Sequence, residues 1–254
     1  MLWSDRTSQE IPEDLEAHGL AAILPVGATE QHGPHLGCGM DAALVQKLCR
    51  AIGETTGVLV LPCLPYGCSL GHSRRWAGTI TLTPQILIGA TNEIGTSAYH
   101  SGVRRLFIVN GHVGNAAPLR CALELLRSQH DDLMVALINT PAISARVREM
   151  HFCDGEDWHA NDAETSLMLA IAPELVRRHL CEAADDPDRT QGLVFSHPVN
   201  RTSINGVTGR PGLATEEKGR LLFDWMVEDL STLILRGLSE TPPLEQSYSQ
   251  RGNE

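Results

Sequence analysis

The sequence predicts an α/β fold with a mainly parallel sheet and helices on both of its faces. Four apolar runs of strand length, residues 21–26, 58–61, 106–109 and 133–138, are separated by intervals that can each hold a helix. Strands that alternate with helices pair in parallel, because each crossover helix carries the chain back to the same end of the sheet. The 254 residues are 42% hydrophobic and 20% charged, enough to bury one large core, and nothing in the composition demands a second domain. A single domain over residues 1–254 is expected.

Taken in order, the first run leads into a loop shaped by glycine and proline, residues 27–36, and then into a helix over 41–54. After the second run a helix is expected over 84–101, with Pro84 suited to a first turn, where its missing N–H goes unused. The third run opens into a glycine-rich turn at 110–115 and a helix over 116–130. Beyond the fourth run, Asp162 can cap a helix over 162–171. Thr215 opens the last helix, 215–235, with Glu216 and Glu217 at the positive end of the helix dipole. Between 180 and 212 the chain is polar, weakly periodic and broken by glycine and proline, which reads as a surface excursion or the wall of a site.

A formal charge of -11, from 31 acidic against 20 basic residues, disfavours nucleic acid or an anionic membrane as a partner, since both attract positive charge. A small neutral or cationic substrate fits better. No basic segment leads into an apolar stretch after Met1, and no uncharged run approaches spanning length, so the expected location is the cytoplasm. The seven cysteines, at 38, 49, 63, 68, 121, 153 and 181, show neither a CxxC pair nor zinc-ribbon spacing and read as reduced thiols. Cys38 and Cys68 lie near the loops of interest but have no recognisable Cys/His pairing.

Chemistry concentrates in three clusters. In Gly27-Ala28-Thr29-Glu30-Gln31-His32-Gly33-Pro34-His35-Leu36, alternation puts Glu30 and His32 on one side while Gln31 points away, and Asp41 arrives at the start of the next helix. In parallel sheets, sites form at these carboxyl ends of strands. Asn110-Gly111-His112-Val113-Gly114-Asn115 offers a second histidine beyond a second strand, and no nucleotide-binding GxxxxGK[ST] or GxGxxG is present. In the third cluster, Asp157 to Ser166, Glu164 sits in an apolar helix, where an ionised carboxylate needs a partner. Singly, each residue has a structural reading: a solvated loop side chain, a tight turn, a helix cap. Their conjunction points to a metal site of carboxylates and imidazoles.

These clusters, in this order and spacing, resemble the creatininase family. The resemblance is carried by Leu24 to Leu36, Asp41, Gly71-His72, Trp76-Ala77-Gly78-Thr79-Ile80, Asn110-Gly111-His112, His159-Ala160, Glu164-Thr165-Ser166 and Ala214 to Gly219, and covers about residues 20–235. It implies a three-layer α/β/α sandwich, hydrolysis of amide-type C–N bonds, a centre of two zinc, manganese or iron ions, and assembly as a homohexamer. At the matching positions Glu30, Asp41 and His112 would hold one ion and His32, Asp41 and Glu164 the other, with Asp41 as the bridge.

Gly114 departs from the creatinine-hydrolysing members, which resemble one another in carrying a glutamate there; Glu164 is expected to supply that carboxylate. Val113, Ala77, Asn161 and Trp76 depart as well. The pattern is more like the branches that trim the mycofactocin precursor or deformylate pyrimidines. His159, which matches the family's motif histidine, is expected as the acid–base group beside Glu164, since imidazole titrates near neutrality, and His72, Trp76 and Trp158 as the substrate pocket, with His35 either bonding a metal ligand or fixing the loop. Hydrolysis of a lactone or cyclic ketone, or a non-catalytic metal- or ligand-binding role on the same fold, are the competing readings.

Overall fold

A computed structural model describes residues 1–244 and places a strand at each of the four apolar runs: β1 at Ala21–Val26, β2 at Leu59–Val60, β3 at Arg105–Asn110 and β4 at Met134–Asn139. The helices are α1 at Glu10–Ala17, α2 at Met40–Thr56, α3 at Pro84–His100, α4 at Ala116–Gln129, α5 at Ala145–His151, α6 at Asp162–Ile171, α7 at Val199–Thr202 and α8 at Glu216–Leu238. Three of these lie outside the sequence expectation because their signals are short. In α1 only Ile11 and Leu15 are buried, α5 has seven residues, and α7 is a single turn within the polar excursion. The expected four-residue second strand shrinks to two, since Pro62 follows Leu61 and can donate no ladder hydrogen bond.

All strand pairs are parallel, in the order β2-β1-β3-β4. Alternate side chains of each strand enter opposite cores. Ala21, Ile23, Val60, Phe107, Val109 and Ile138 pack with the buried faces of α2, α6 and α8. Ala22, Leu24, Val26, Leu59, Leu106 and Ile108 pack with α1, α3 and α4. The sheet is therefore the middle of three layers, the α/β/α arrangement expected.

After β1 the chain passes through α2 to β2 on one side, then through α3 to β3 on the other, so the connections diverge at β1 and β3. Crevices at the carboxyl ends of such diverging strands are where open α/β sheets bind ligands. Here Val26 pairs with Asn110, and the Gly111 N–H donates to the Val26 carbonyl at 2.8 Å, holding the two loops side by side. No helix among the described residues is long and apolar enough to cross a membrane.

Candidate metal centre

The loop after β1 is fixed before its side chains do anything. The Glu30 N–H donates to the Cys38 carbonyl at 2.8 Å and the Gln31 N–H to Thr79 Oγ1 at 3.0 Å. Asn115, just beyond the β3 turn, ties three loops together: its Nδ2 donates to the Gly27 carbonyl at 2.9 Å and its Oδ1 accepts from the Cys68 N–H at 2.8 Å. Asn110 brackets His112, accepting from its N–H at 3.1 Å and donating to its carbonyl at 2.8 Å. Asp41 stands in the first turn of α2.

Glu164 is positioned from its own helix end. Asn161 caps α6 by accepting from the Glu164 N–H at 3.1 Å. Ala160 takes a left-handed backbone conformation, φ 53°, rare for a residue with a Cβ, and its N–H donates to Glu164 Oε2 at 2.6 Å. The excursion at 180–212 braces this segment, because His159 and Thr208 exchange backbone hydrogen bonds at 2.9 and 2.8 Å.

The five residues expected to ligate a metal meet at one place. His32 Nε2 lies 3.3 Å from Asp41 Oδ1, His112 Nδ1 3.2 Å from Asp41 Oδ2, and His112 Nε2 3.3 Å from Glu30 Oε2. Asp41 thus stands between the two imidazoles. His32 Nδ1 is 3.0 Å from the Glu30 carbonyl, a contact in which Nδ1 donates, so Nε2 is the ring nitrogen directed toward the centre. At this centre two groups bring ligand atoms within 4.8 Å of one another: Glu30, His72 and His159, and His32, His159 and Glu164. Glu30 is 0%, Asp41 2% and Glu164 6% exposed, yet both Glu30 oxygens and Asp41 Oδ2 find no hydrogen-bond donor. Buried carboxylate oxygens without donors are costly unless a cation completes them. Together with the imidazole nitrogens directed at them, they make a donor set that fits divalent zinc, manganese or iron.

The electrostatics reflect the same crowding. Burial raises Glu164 to about 7, and the neighbouring Asp41 and Glu30 charges push the same way. Burial also raises Glu30, with Asp41 adding to the rise. For His32 burial works to lower the value, but Asp41, Glu164 and Glu30 override it and raise the imidazole to about 10; His112 rises to about 9, against burial, through Glu30 and Asp41. Asp41, despite burial, is held well below the usual carboxylate range by those two rings. His159 and His72 go the other way: burial, and then the positive charge of His32, lowers both, His72 to about 3.

A cavity of about 290 Å³ opens onto Glu30, Asp41, His112 and Glu164, and His72, Trp158 and His159 line it. Trp76 does not: it lies outside that lining, with the Arg75 guanidinium 5.0 Å from its ring centroid. Gln31, expected to point away, is buried and braces the site. Its Nε2 donates to the Gly206 carbonyl at 3.1 Å and lies 2.9 Å from His72 Nδ1, while its Oε1 accepts from the Gly33 N–H at 2.9 Å. His35, also fully buried, bonds Thr165 Oγ1 at 2.8 Å and so links the β1 loop to α6. Gly114 leaves no room for a side chain, since a Cβ there would lie 2.2 Å from the Cys68 carbonyl oxygen and 2.6 Å from His112 Nε2. Sequence reasoning missed Ser69, His197 and Thr208, which line the cavity from segments with no motif of their own, and His151, which lines it from the end of α5.

Comparison with known proteins gives a consistent result. The family model for creatininase, described as creatinine amidohydrolase, matches residues 4–234. The chain is 31% identical to a creatinine amidohydrolase of Pseudomonas putida, covering 93% of this chain and 96% of that protein. It is also 31% identical to a mycofactocin precursor peptide peptidase of Mycobacterium tuberculosis, covering 92% and 90% respectively. A solved mutant creatininase of Zn-Zn type superposes with a TM-score of 0.83 at 27% identity, over 94% of this chain and 98% of that one.

Proposed function

Because this chain belongs to the creatininase family of hydrolases, we propose that it is a metal-dependent amidohydrolase that opens an amide-type C–N bond of a small molecule. In this reading Glu30, Asp41 and His112 would hold one divalent ion and His32, Asp41 and Glu164 a second, with Asp41 common to both sets. The observation that carries the reading is the set of buried Glu30 and Asp41 oxygens with no donor, facing two imidazoles. Bound divalent ions supply Lewis acidity, lowering the pKa of water toward neutrality and polarising a carbonyl.

The chain's own groups do the rest. His159 Nε2 lies 2.9 Å from the Gln31 carbonyl, which assigns its proton there and leaves Nδ1 bare, 3.4 Å from Glu30 Oε1. Held neutral by burial, that nitrogen accepts the proton released as water adds to the substrate carbonyl carbon. It then returns the proton to the leaving nitrogen as the C–N bond breaks. Gln31 keeps the His72 ring in place through its side-chain amide and the His159 ring through its backbone carbonyl, and Trp158 and His72 shape the cavity around the substrate.

A short peptide is the second reading, favoured by the equal identity to the peptidase and by Gly114, whose surroundings exclude a glutamate. The test is a screen of creatinine, other cyclic amides, formamides and short peptides with zinc, manganese or iron supplied, reading released amine. Turnover of one amide class is expected, and His159→Ala is expected to retain metal while kcat falls by about 10²–10⁴-fold. Opening of lactones or cyclic ketones with no amide turned over would overturn the C–N assignment, and unchanged kinetics in the variant would remove His159.

A further inference from the structure

One buried imidazole in the cavity has no part in the chemistry above. His151, the last residue of α5, is 1% exposed and lines the same cavity as Glu30, Asp41 and Glu164. Neither its Nδ1 nor its Nε2 has a hydrogen-bond partner in the protein. Its position is fixed all the same: Asn161 Nδ2 donates to its carbonyl at 2.9 Å, and its ring lies against Trp158 with centroids 5.3 Å apart. It belongs to none of the three groups of described residues whose ligand atoms lie within 4.8 Å of one another. A polar side chain held this rigidly and this deeply, with both ring atoms unpaired, is uncommon in a native protein unless something else pairs with it.

Resting on the reading of this cavity as the substrate site, we propose that His151 recognises the substrate by hydrogen-bonding an uncharged polar group, an amide or urea-type N–H or C=O. Burial lowers the imidazole to about 4, so at pH 7 it is neutral and offers one donor and one acceptor. An anionic group is disfavoured on separate grounds, because the cavity lining offers neither lysine nor arginine to pair with it, and Asp157, which is outside the proposed metal set, adds a carboxyl group there. Trp158 then packs over the apolar part of the same moiety.

Pyrrolidin-2-one, a neutral cyclic amide, is a suitable probe, with acetate as its charged counterpart. Titrated into the full-length, isotope-labelled, zinc-supplemented protein, pyrrolidin-2-one is expected to shift the His151 ring nitrogen resonances and acetate to leave them in place. His151→Phe, which keeps a ring but no hydrogen-bonding atom, is expected to weaken pyrrolidin-2-one binding about tenfold, while His151→Gln, which restores a donor and an acceptor, binds it to within about threefold of the parent. The proposal is overturned if saturating pyrrolidin-2-one leaves the His151 resonances unmoved, if acetate moves them equally, or if the Phe and Gln variants bind alike. Should His151→Phe fail to fold, the ring shifts of the parent remain decisive. Zinc content measured on the same sample separates the two ideas: zinc-free protein whose His151 still responds contradicts the metal reading and not this one.

Discussion

At the scale of single residues, protons and metal compete for the same ring nitrogens. His32, raised to about 10, and His112, raised to about 9, are both charged at neutral pH on either side of an ionised Asp41. A divalent ion needs those imidazoles bare, so binding must expel their protons. Groups with raised pKa values keep their protons until the pH climbs past those values, so competition with metal is strongest at low pH and weakens through the range 7 to 10. Apparent zinc affinity is therefore expected to rise with pH across that range, with at least the two protons of His32 and His112 released per chain at pH 7. Calorimetry in buffers of different ionisation enthalpy reads this directly, and a binding heat independent of buffer would contradict it.

The same scale shows what one residue reveals in sequence. Glu30 and His32 were legible as a pair because alternation in an extended segment is a local property. Gln31 was misread for the same reason: alternation points it away from Glu30 and His32, but the partners that draw it in, His72 and the Gly206 carbonyl, are far away in sequence. Trp76 looked like a pocket aromatic from its motif, and the Arg75 guanidinium stacked near its ring is a contact no spacing announces.

At the scale of elements, α6 carries Glu164, and its closeness to α8 decides where that carboxylate sits. The buried stripe of α8, Gly219, Leu222, Met226, Leu230 and Ile234, repeats every three or four residues, which is why this helix was legible. Its glycine was not. A Cβ on Gly219 would lie 1.7 Å from the backbone carbonyl oxygen of Ser166, so the two helix backbones cross in near contact. Gly219→Ala must push α8 from α6, and a loss of about 1–3 kcal/mol in unfolding free energy is expected, together with weaker zinc binding as Glu164 moves. Denaturant unfolding and a zinc titration check the two effects, and a variant as stable as the parent would show that the crossing is not tight. The helices α1 and α5 were invisible beforehand because each buries only two side chains, too few to set a period.

At the scale of the whole molecule, the proposed ligands come from the loops after β1 and β3 and from the first turns of α2 and α6. Strand and helix alternation was enough to anticipate the layered sheet, because parallel pairing follows from connectivity. The path of residues 180–212 was not, because it has no core pattern; it is positioned by individual bonds such as those between Thr208 and His159. Ions held by four such segments would cross-link the chain far from its ends, and the loss of Asp41 would remove the residue shared by both ions.

Metal content, measured on the purified protein and on Asp41→Ala after dialysis against metal-free buffer, therefore tests the central claim most directly. About two divalent ions per chain are expected in the parent, and at least one of them lost in a variant that keeps its far-ultraviolet circular dichroism. A parent that retains no metal when zinc, manganese or iron is supplied, or a variant that keeps the full complement, would contradict the account.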